Sequence, residues 1–260
     1  MKTQPTGEQW ACLGPMERFH FRLADRINRT NWIKDALSVP NATVGRAWVE
    51  LFVHKMCLDH GFDNFRLIDP DRAVLLVANH RSLFDQFSMA ARLFTMYGNH
   101  HRIFFPIRAP FFYDSPAGLA LNLALAFGSM YPPIARDPKR KVWNRFAMEV
   151  LAELLQDPRN MVGFHPEGRR NRSEDPYDLL PGQPGCGMLI HRARPNVVPV
   201  FLQGFPDNPW PWTLKTLGLA ASCPPAVHMV MGAPLDLAEE LAQPADPRLY
   251  VRISRKVMEA

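Results

Sequence analysis

The run Ala73-Val-Leu-Leu-Val-Ala78 is apolar at every position and is followed at once by Asn79-His-Arg-Ser82. A strand with one wet face alternates apolar and polar residues, so an unbroken apolar run of this length fits a strand covered on both faces. Shorter or similar apolar stretches recur at Phe65–Ile68, Arg102–Ile107, Met130–Ile134, Met161–Phe164, Val197–Leu202 and Val227–Met231. Helical spacing predicts helices over about Leu83–Tyr97, Pro138–Gln156 and Gly185–Arg194. This alternation predicts an α/β fold over residues 63–260, a single domain with a mixed, largely parallel central sheet flanked by helices.

Residues 1–62 follow another period. Cationic and apolar side chains alternate at helical spacing over Met16–Leu37 and Ala42–His60, with Pro40 between them. Two N-terminal amphipathic helices are therefore expected before the α/β domain. In the second, Trp48, Leu51, Phe52, Lys55, Met56 and Asp59 suit a face lying on lipid headgroups, or one packed on its own domain. Ser115–Ala135 carries no charged side chain and is long enough to cross a bilayer. Pro116, Gly118, Asn122, Gly128, Pro132 and Pro133 interrupt it, whereas a lipid-exposed span must satisfy its backbone hydrogen bonds internally. Buried core or a patch dipping into the membrane interface is expected there.

The formal net charge of +5 favours an anionic partner and leaves nucleic acid, phospholipid and phosphorylated substrate open. Cys12, Cys57, Cys186 and Cys223 show no Cys-x-x-Cys spacing, which argues against a zinc knuckle or a disulfide framework and fits a reducing compartment. The first ten residues lack the apolar run of a secretory signal, so export is not expected.

A His followed five positions later by Asp occurs at His20/Asp25, His54/Asp59 and His80/Asp85. The first two pairs fall in expected helices, where five residues advance the side chains by about 500° and hold them apart. His80 instead follows the apolar run, at the carboxyl edge of a sheet where α/β proteins place ligand crevices. Asp85 falls in the first turn of the next helix and can fold back onto the imidazole. Two roles fit at this point: a general base worth about 10² to 10⁴ in rate, or a His that only closes the turn Asn79–Ser82. No Gly-x-Ser-x-Gly elbow is present, so a base here would act on a substrate hydroxyl or water.

Phe164-His-Pro-Glu-Gly-Arg-Arg-Asn-Arg172 also follows an apolar strand. Glycine beside arginines lets a backbone approach an anion while guanidinium forks bind its oxygens, which suits a phosphate. Glu167 in that setting orients an arginine or accepts from a hydroxyl, unless the run is a solvated loop. Arg136 follows Tyr131-Pro-Pro-Ile-Ala135, and it converges with Arg170 on His80 if their strands are neighbours. Val197-Val-Pro-Val-Phe201 reads as an edge strand or a bulge, because proline cannot donate to a ladder.

Taken together and in this order, four segments resemble the motifs of the glycerolipid acyltransferase family, which includes 1-acylglycerol-3-phosphate and glycerol-3-phosphate acyltransferases. They are Asn79–Asp85, Tyr131–Arg136, Pro166–Arg170 and Val198–Val200, within about Leu67–Gly204. The resemblance implies that His80, oriented by Asp85, takes the proton of an acceptor hydroxyl attacking an acyl thioester, without an acyl-enzyme. It implies that Arg136, Glu167, Gly168, Arg169 and Arg170 hold a phosphate of the acceptor or of the carrier. No metal and no cofactor is implied; the thioester of coenzyme A or acyl-carrier protein is a co-substrate. The family's third motif usually reads Phe-Pro-Glu-Gly-Thr-Arg-Ser, and here His165, Arg169 and Asn171 replace its Phe, Thr and Ser.

The expected function is acyl transfer to a lysophospholipid such as 1-acylglycerol 3-phosphate, peripheral or monotopic at the cytoplasmic face of a membrane, with no nucleic acid partner. The same chemistry on glycerol 3-phosphate or a lyso-aminolipid is an alternative. A thioester hydrolase and a non-catalytic binder of anionic lipid or nucleic acid are others.

Overall fold

The computed structural model describes residues 3–53, 57–97, 101–205, 208, 210–219 and 227–260. Its strands are β1 (Cys57–His60), β2 (Val74–Ala78), β3 (Arg102–Phe104), β4 (Ile107–Arg108), β5 (Pro133–Ile134), β6 (Asn160–Phe164), β7 (Asn196–Gln203) and β8 (Val227–Met231). Six of them form one sheet in the order β1-β8-β7-β2-β6-β3, parallel except between β7 and β8. β4 and β5 pair in a small parallel ladder of their own. Helices α1 (Gly7–Ala11), α2 (Pro15–Arg29), α3 (Asn31–Pro40) and α4 (Arg46–Val53) precede the sheet. α5 (Asp85–Tyr97), α6 (Ala109–Phe112), α7 (Pro116–Ala126), α8 (Lys141–Leu154) and α9 (Pro184–Ala193) lie between its strands. α10 (Trp210–Thr216) lies between β7 and β8, and α11 (Ala238–Leu241) and α12 (Pro247–Glu259) end the chain. The mixed, largely parallel sheet between helical layers is the architecture the sequence predicted.

The apolar β2 is explained by its two neighbours. Leu75 and Val77 join a cluster with Trp143, Phe146 and Val150 of α8, Leu189 of α9 and Ile253 of α12. Val74, Leu76 and Ala78 face the other layer, with Met89, Leu93 and Phe94 of α5 and Val49 of α4. All five residues are at most 4% exposed, so each large one contributes about 1.5–3 kcal/mol by burial.

Several local expectations are corrected. The first predicted helix breaks at Thr30, whose extended backbone ends α2 and starts α3, while Pro40 is absorbed by a π turn at Asn41–Gly45. The second does not reach His60, because Cys57–His60 is the edge strand β1; Lys55 and Met56 lie outside the described residues. Phe65–Ile68 is not a strand: Phe62–Leu67 is a 3₁₀ turn that buries Phe62 and Phe65. Of Met130–Ile134 only Pro133–Ile134 is strand, outside the main sheet. Ser115–Ala135 contains the surface helix α7, which buries Gly118, Asn122 and Ala126 and exposes Leu121, Leu123 and Leu125. No described helix is long and apolar enough to cross a membrane.

Pro199 sits in neither an edge strand nor a bulge but in β7, between β2 and β8. The Pro199 carbonyl accepts from Gly232 N, one residue beyond β8, so the missing proline N–H faces the place where that ladder ends. The N-terminal helices share the common core. Phe21 of α2 packs edge-on against Trp143, with ring centroids 4.9 Å apart. The Lys34 ammonium of α3, 1% exposed, donates to Asn28 Oδ1, the Ile103 carbonyl and Ser129 Oγ.

Candidate active site

β2 and β7 stay paired up to Ala78 and Val200. Beyond that point the Asn79 carboxamide replaces a backbone rung: it donates to the Leu202 carbonyl at 2.9 Å and accepts from Leu202 N at 2.7 Å. The main chain is thereby released from the sheet, and His80 stands at its carboxyl edge. The following turn wraps around Asp85, the first residue of α5. One oxygen, Asp85 Oδ2, accepts from Arg81 N at 2.7 Å, Ser82 N at 2.8 Å and His80 Nδ1 at 3.1 Å.

Two amides fix the carboxylate, and the carboxylate fixes the ring. With its proton on Nδ1, the imidazole has Nε2 as the nitrogen that can take another. The Asp85 side chain is fully buried, whereas 20% of the His80 side chain is exposed. Burial pushes the Asp85 carboxyl up to about 6, against His165, the Ser82 and Arg81 amides and Arg170. Asp85 is thus ionised above that range.

The second segment arrives from β6. His165 stacks on His80 with ring centroids 3.9 Å apart and planes 12° from parallel. Next comes a tight turn in which Gly168 N donates to the His165 carbonyl, and Gly168 takes a φ of +70° that strains any residue with a Cβ. Gln183 N, just before α9, donates to the Pro166 carbonyl and docks this turn. Two further links lace it to the first segment. Asn171 N donates to the His80 carbonyl at 2.7 Å, and the Arg81 guanidinium donates to the Ser173 and Asp175 carbonyls.

Glu167 departs from one expectation. It is 2% exposed and no arginine bonds to it; neither of its carboxyl oxygens closes a hydrogen bond within the protein. Burial pushes it up to about 7, while the His80 and Leu180 amides face it and favour its charged form.

Arg136 feels the charges of Arg169 and Arg170 without the strand neighbourhood that was expected. β5, which leads to Arg136, is no neighbour of β6; it pairs with β4, setting Arg108 opposite Ile134. The Arg136 pKa is lowered by partial burial and then by the like charges of Arg108, Arg170 and Arg169. Arg170 also acts on Asp85. Arg108 was not singled out from the sequence, although it ends the apolar run Phe104-Phe-Pro-Ile107 as Arg136 ends its own. His165 stood out only as a replaced motif residue, and its stacking partner follows from the β2–β6 pairing.

Among the other pairs, His20 lies against the Tyr113 ring, while Asp25 accepts from Tyr131 Oη and Arg29. His54 lies outside the described residues, as does Cys223; the other three cysteines are free thiols. His80, Asp85 and His165 offer donor atoms within 4.8 Å of one another. The near-parallel rings, however, place their in-plane lone pairs in separate layers that do not meet at one ion.

No curated protein matches the chain. Among solved structures, the 1-acyl-sn-glycerophosphate (LPA) acyltransferase PlsC from Thermotoga maritima is similar, with a TM-score of 0.44 and 15% sequence identity over 93% of this chain and 87% of that one. A family profile described as Acyltransferase matches residues 59–203, which is more than half of the chain and holds His80, Asp85, Arg136 and the whole Pro166–Arg170 turn. The chain therefore belongs to the acyltransferase family, and it is an enzyme.

Proposed function

We propose that this acyltransferase moves a fatty acyl group from an acyl thioester, carried on coenzyme A or acyl-carrier protein, to a hydroxyl of a lysophospholipid such as 1-acylglycerol 3-phosphate. The observation that carries the reading is the His80–Asp85 contact of 3.1 Å at the sheet edge, with Arg170 near enough to act on both Asp85 and Arg136. His80 Nε2 takes the proton of the acceptor hydroxyl as its oxygen attacks the thioester carbonyl. The new C–O bond forms, the C–S bond breaks, and the imidazolium returns its proton to the departing thiolate. Asp85 stabilises the transient imidazolium and keeps the ring in the productive tautomer. The arginines and the Gly168 turn bind phosphate, which positions the hydroxyl. The reaction needs no acyl-enzyme and no metal.

The same reading places the enzyme on the cytoplasmic face of a membrane. Leu121, Leu123 and Leu125 of α7 are exposed, as are Val44 in the π turn and Leu51 of α4. The two helices are tied together by Trp48 Nε1 donating to the Leu125 carbonyl. Exposed apolar side chains of this kind suit the headgroup boundary of a bilayer. The test is thiol release by purified protein from both thioesters, with 1-acylglycerol 3-phosphate, glycerol 3-phosphate or a lyso-aminolipid as acceptor. Release should require an acceptor, be fastest with the lysophospholipid, and vanish in His80→Ala while vesicle binding persists. Acceptor-independent thioester consumption, or turnover surviving in His80→Ala, would overturn the proposal.

A further inference from the structure

His165 takes no part in the mechanism above, yet it is the nearest aromatic neighbour of the proposed base. Both of its ring nitrogens are engaged. Nδ1 lies 2.9 Å from the Ala78 carbonyl, which can only accept, so this nitrogen carries a proton. Nε2 lies 3.1 Å from Gln86 Nε2, a donor, so it presents its lone pair. That pattern is the neutral tautomer.

Gln86 has room for this contact because Gly163 carries no side chain. A Cβ on Gly163 would come within 1.9 Å of Gln86 Oε1, so only glycine at this position of β6 leaves room for the carboxamide. Gln86 itself is 7% exposed. The ring plane of His165 is thus set by the end of β2, by α5 and by β6 together, and the His80 imidazole lies flat against it at 3.9 Å.

The electrostatics agree. The ionisable groups facing His165 are His80 and Asp85. Burial, followed by His80, pushes its pKa down to about 4, with Asp85 opposing. At neutral pH the neighbour of the base therefore carries no charge that would repel the imidazolium formed on His80 during transfer.

We infer that His165 is a positioning residue whose pinned, neutral ring forms a flat wall that fixes the plane of His80 and hence the direction of Nε2. Asp85 fixes the Nδ1 end of the imidazole, and the stacked ring bears on its plane. Phenylalanine at this position would supply a wall without pins, whereas histidine ties the wall to three elements of the fold. The inference rests on the reading of His80 as general base.

The experiment compares His165→Ala, His165→Leu, His165→Phe and His80→Ala in the full-length enzyme, with kcat, KM for each substrate and the thermal midpoint as readouts. A small misplacement of a reacting group can cost about 10² in rate. Removing the flat wall is therefore expected to lower kcat by roughly 10- to 100-fold in the Ala and Leu variants, with both KM values within about threefold of wild type. His165→Phe should keep kcat within about fivefold. Leu fills the space without a planar face, so it decides the matter should the Ala variant fail to fold. Wild-type kcat in the Leu variant overturns the wall, as does a folded Phe variant that loses as much as Leu. A loss confined to KM assigns His165 to substrate binding instead and also overturns it. An active His80→Ala overturns the underlying reading of the base; an inactive one beside a fully active Leu variant overturns the wall alone.

Discussion

Asp85→Asn separates the two demands placed on one buried carboxylate. In the wild type a single oxygen accepts three hydrogen bonds, from Arg81 N, Ser82 N and His80 Nδ1. The carboxamide oxygen of Asn can accept the same three, so the turn and the tautomer survive and only the charge is lost. A hydrogen bond to a charged group is worth about 1.5–3 kcal/mol. Losing that support for the imidazolium should lower kcat by roughly 10- to 150-fold at pH 8.

Stability should move the other way. The folded-state pKa of Asp85 is raised from 3.8 to about 6, so keeping the group ionised costs the native state about 3 kcal/mol once the pH exceeds both values. Asn removes that penalty. Its NH₂ then takes the place of Oδ1, which is buried and has no partner, at a cost of about 1–3 kcal/mol. The balance is roughly 0 to 2 kcal/mol in favour of the variant, or up to about 6 °C in thermal midpoint. Thiol release followed with a chromogenic reagent gives kcat, and thermal unfolding at pH 8 gives the midpoint. Unchanged kcat, or a midpoint lowered by more than about 4 °C, would refute the reasoning. In the wild type, kcat should fall as the pH drops through about 6, where Asp85 takes up a proton.

Arg108→Gln should raise KM for the phosphate-bearing acceptor about fivefold at low ionic strength and less at 0.5 M salt, since exposed charge pairs are worth under about 1 kcal/mol and are screened; an unchanged KM would remove Arg108 from the anion site. Lys34 titrates near 7 in the folded chain instead of 10.5, so above pH 7 the unfolded chain binds a proton that the folded one does not. Unfolding free energy from denaturant titrations should therefore rise between pH 7 and 8.5, by up to about 1.4 kcal/mol per unit, and Lys34→Met should flatten the slope. Replacing Leu121 and Leu125 together by Glu should weaken sedimentation with anionic vesicles by about tenfold or more, while turnover of a short-chain soluble acceptor stays within about twofold.

The parts of the fold legible in the sequence are those whose environment is uniform along the element. β2 and β6 are buried along nearly their whole length, and their composition reports it directly. β1 reads Cys57-Leu-Asp-His60 with alternate residues exposed, a pattern too short to distinguish from the end of the preceding helix. Pro199 misled because the ban on proline in a central strand assumes both ladders run its full length, and here one stops beside it. At the site, the His80 and Asp85 relation was readable because five residues of local chain determine it. The place of Arg108 was not, because it depends on a two-residue ladder between segments about 25 residues apart.

The carboxamide of Asn79 spans a gap that the backbone no longer closes, and His80 stands directly beyond that gap. The opening at this edge is therefore set by the length of one side chain, held at both of its polar atoms, and not by the sag of a surface loop. An acid at 79 would set two oxygens against each other across the Leu202 carbonyl and force the strands to part further down, spoiling the aperture at its hinge.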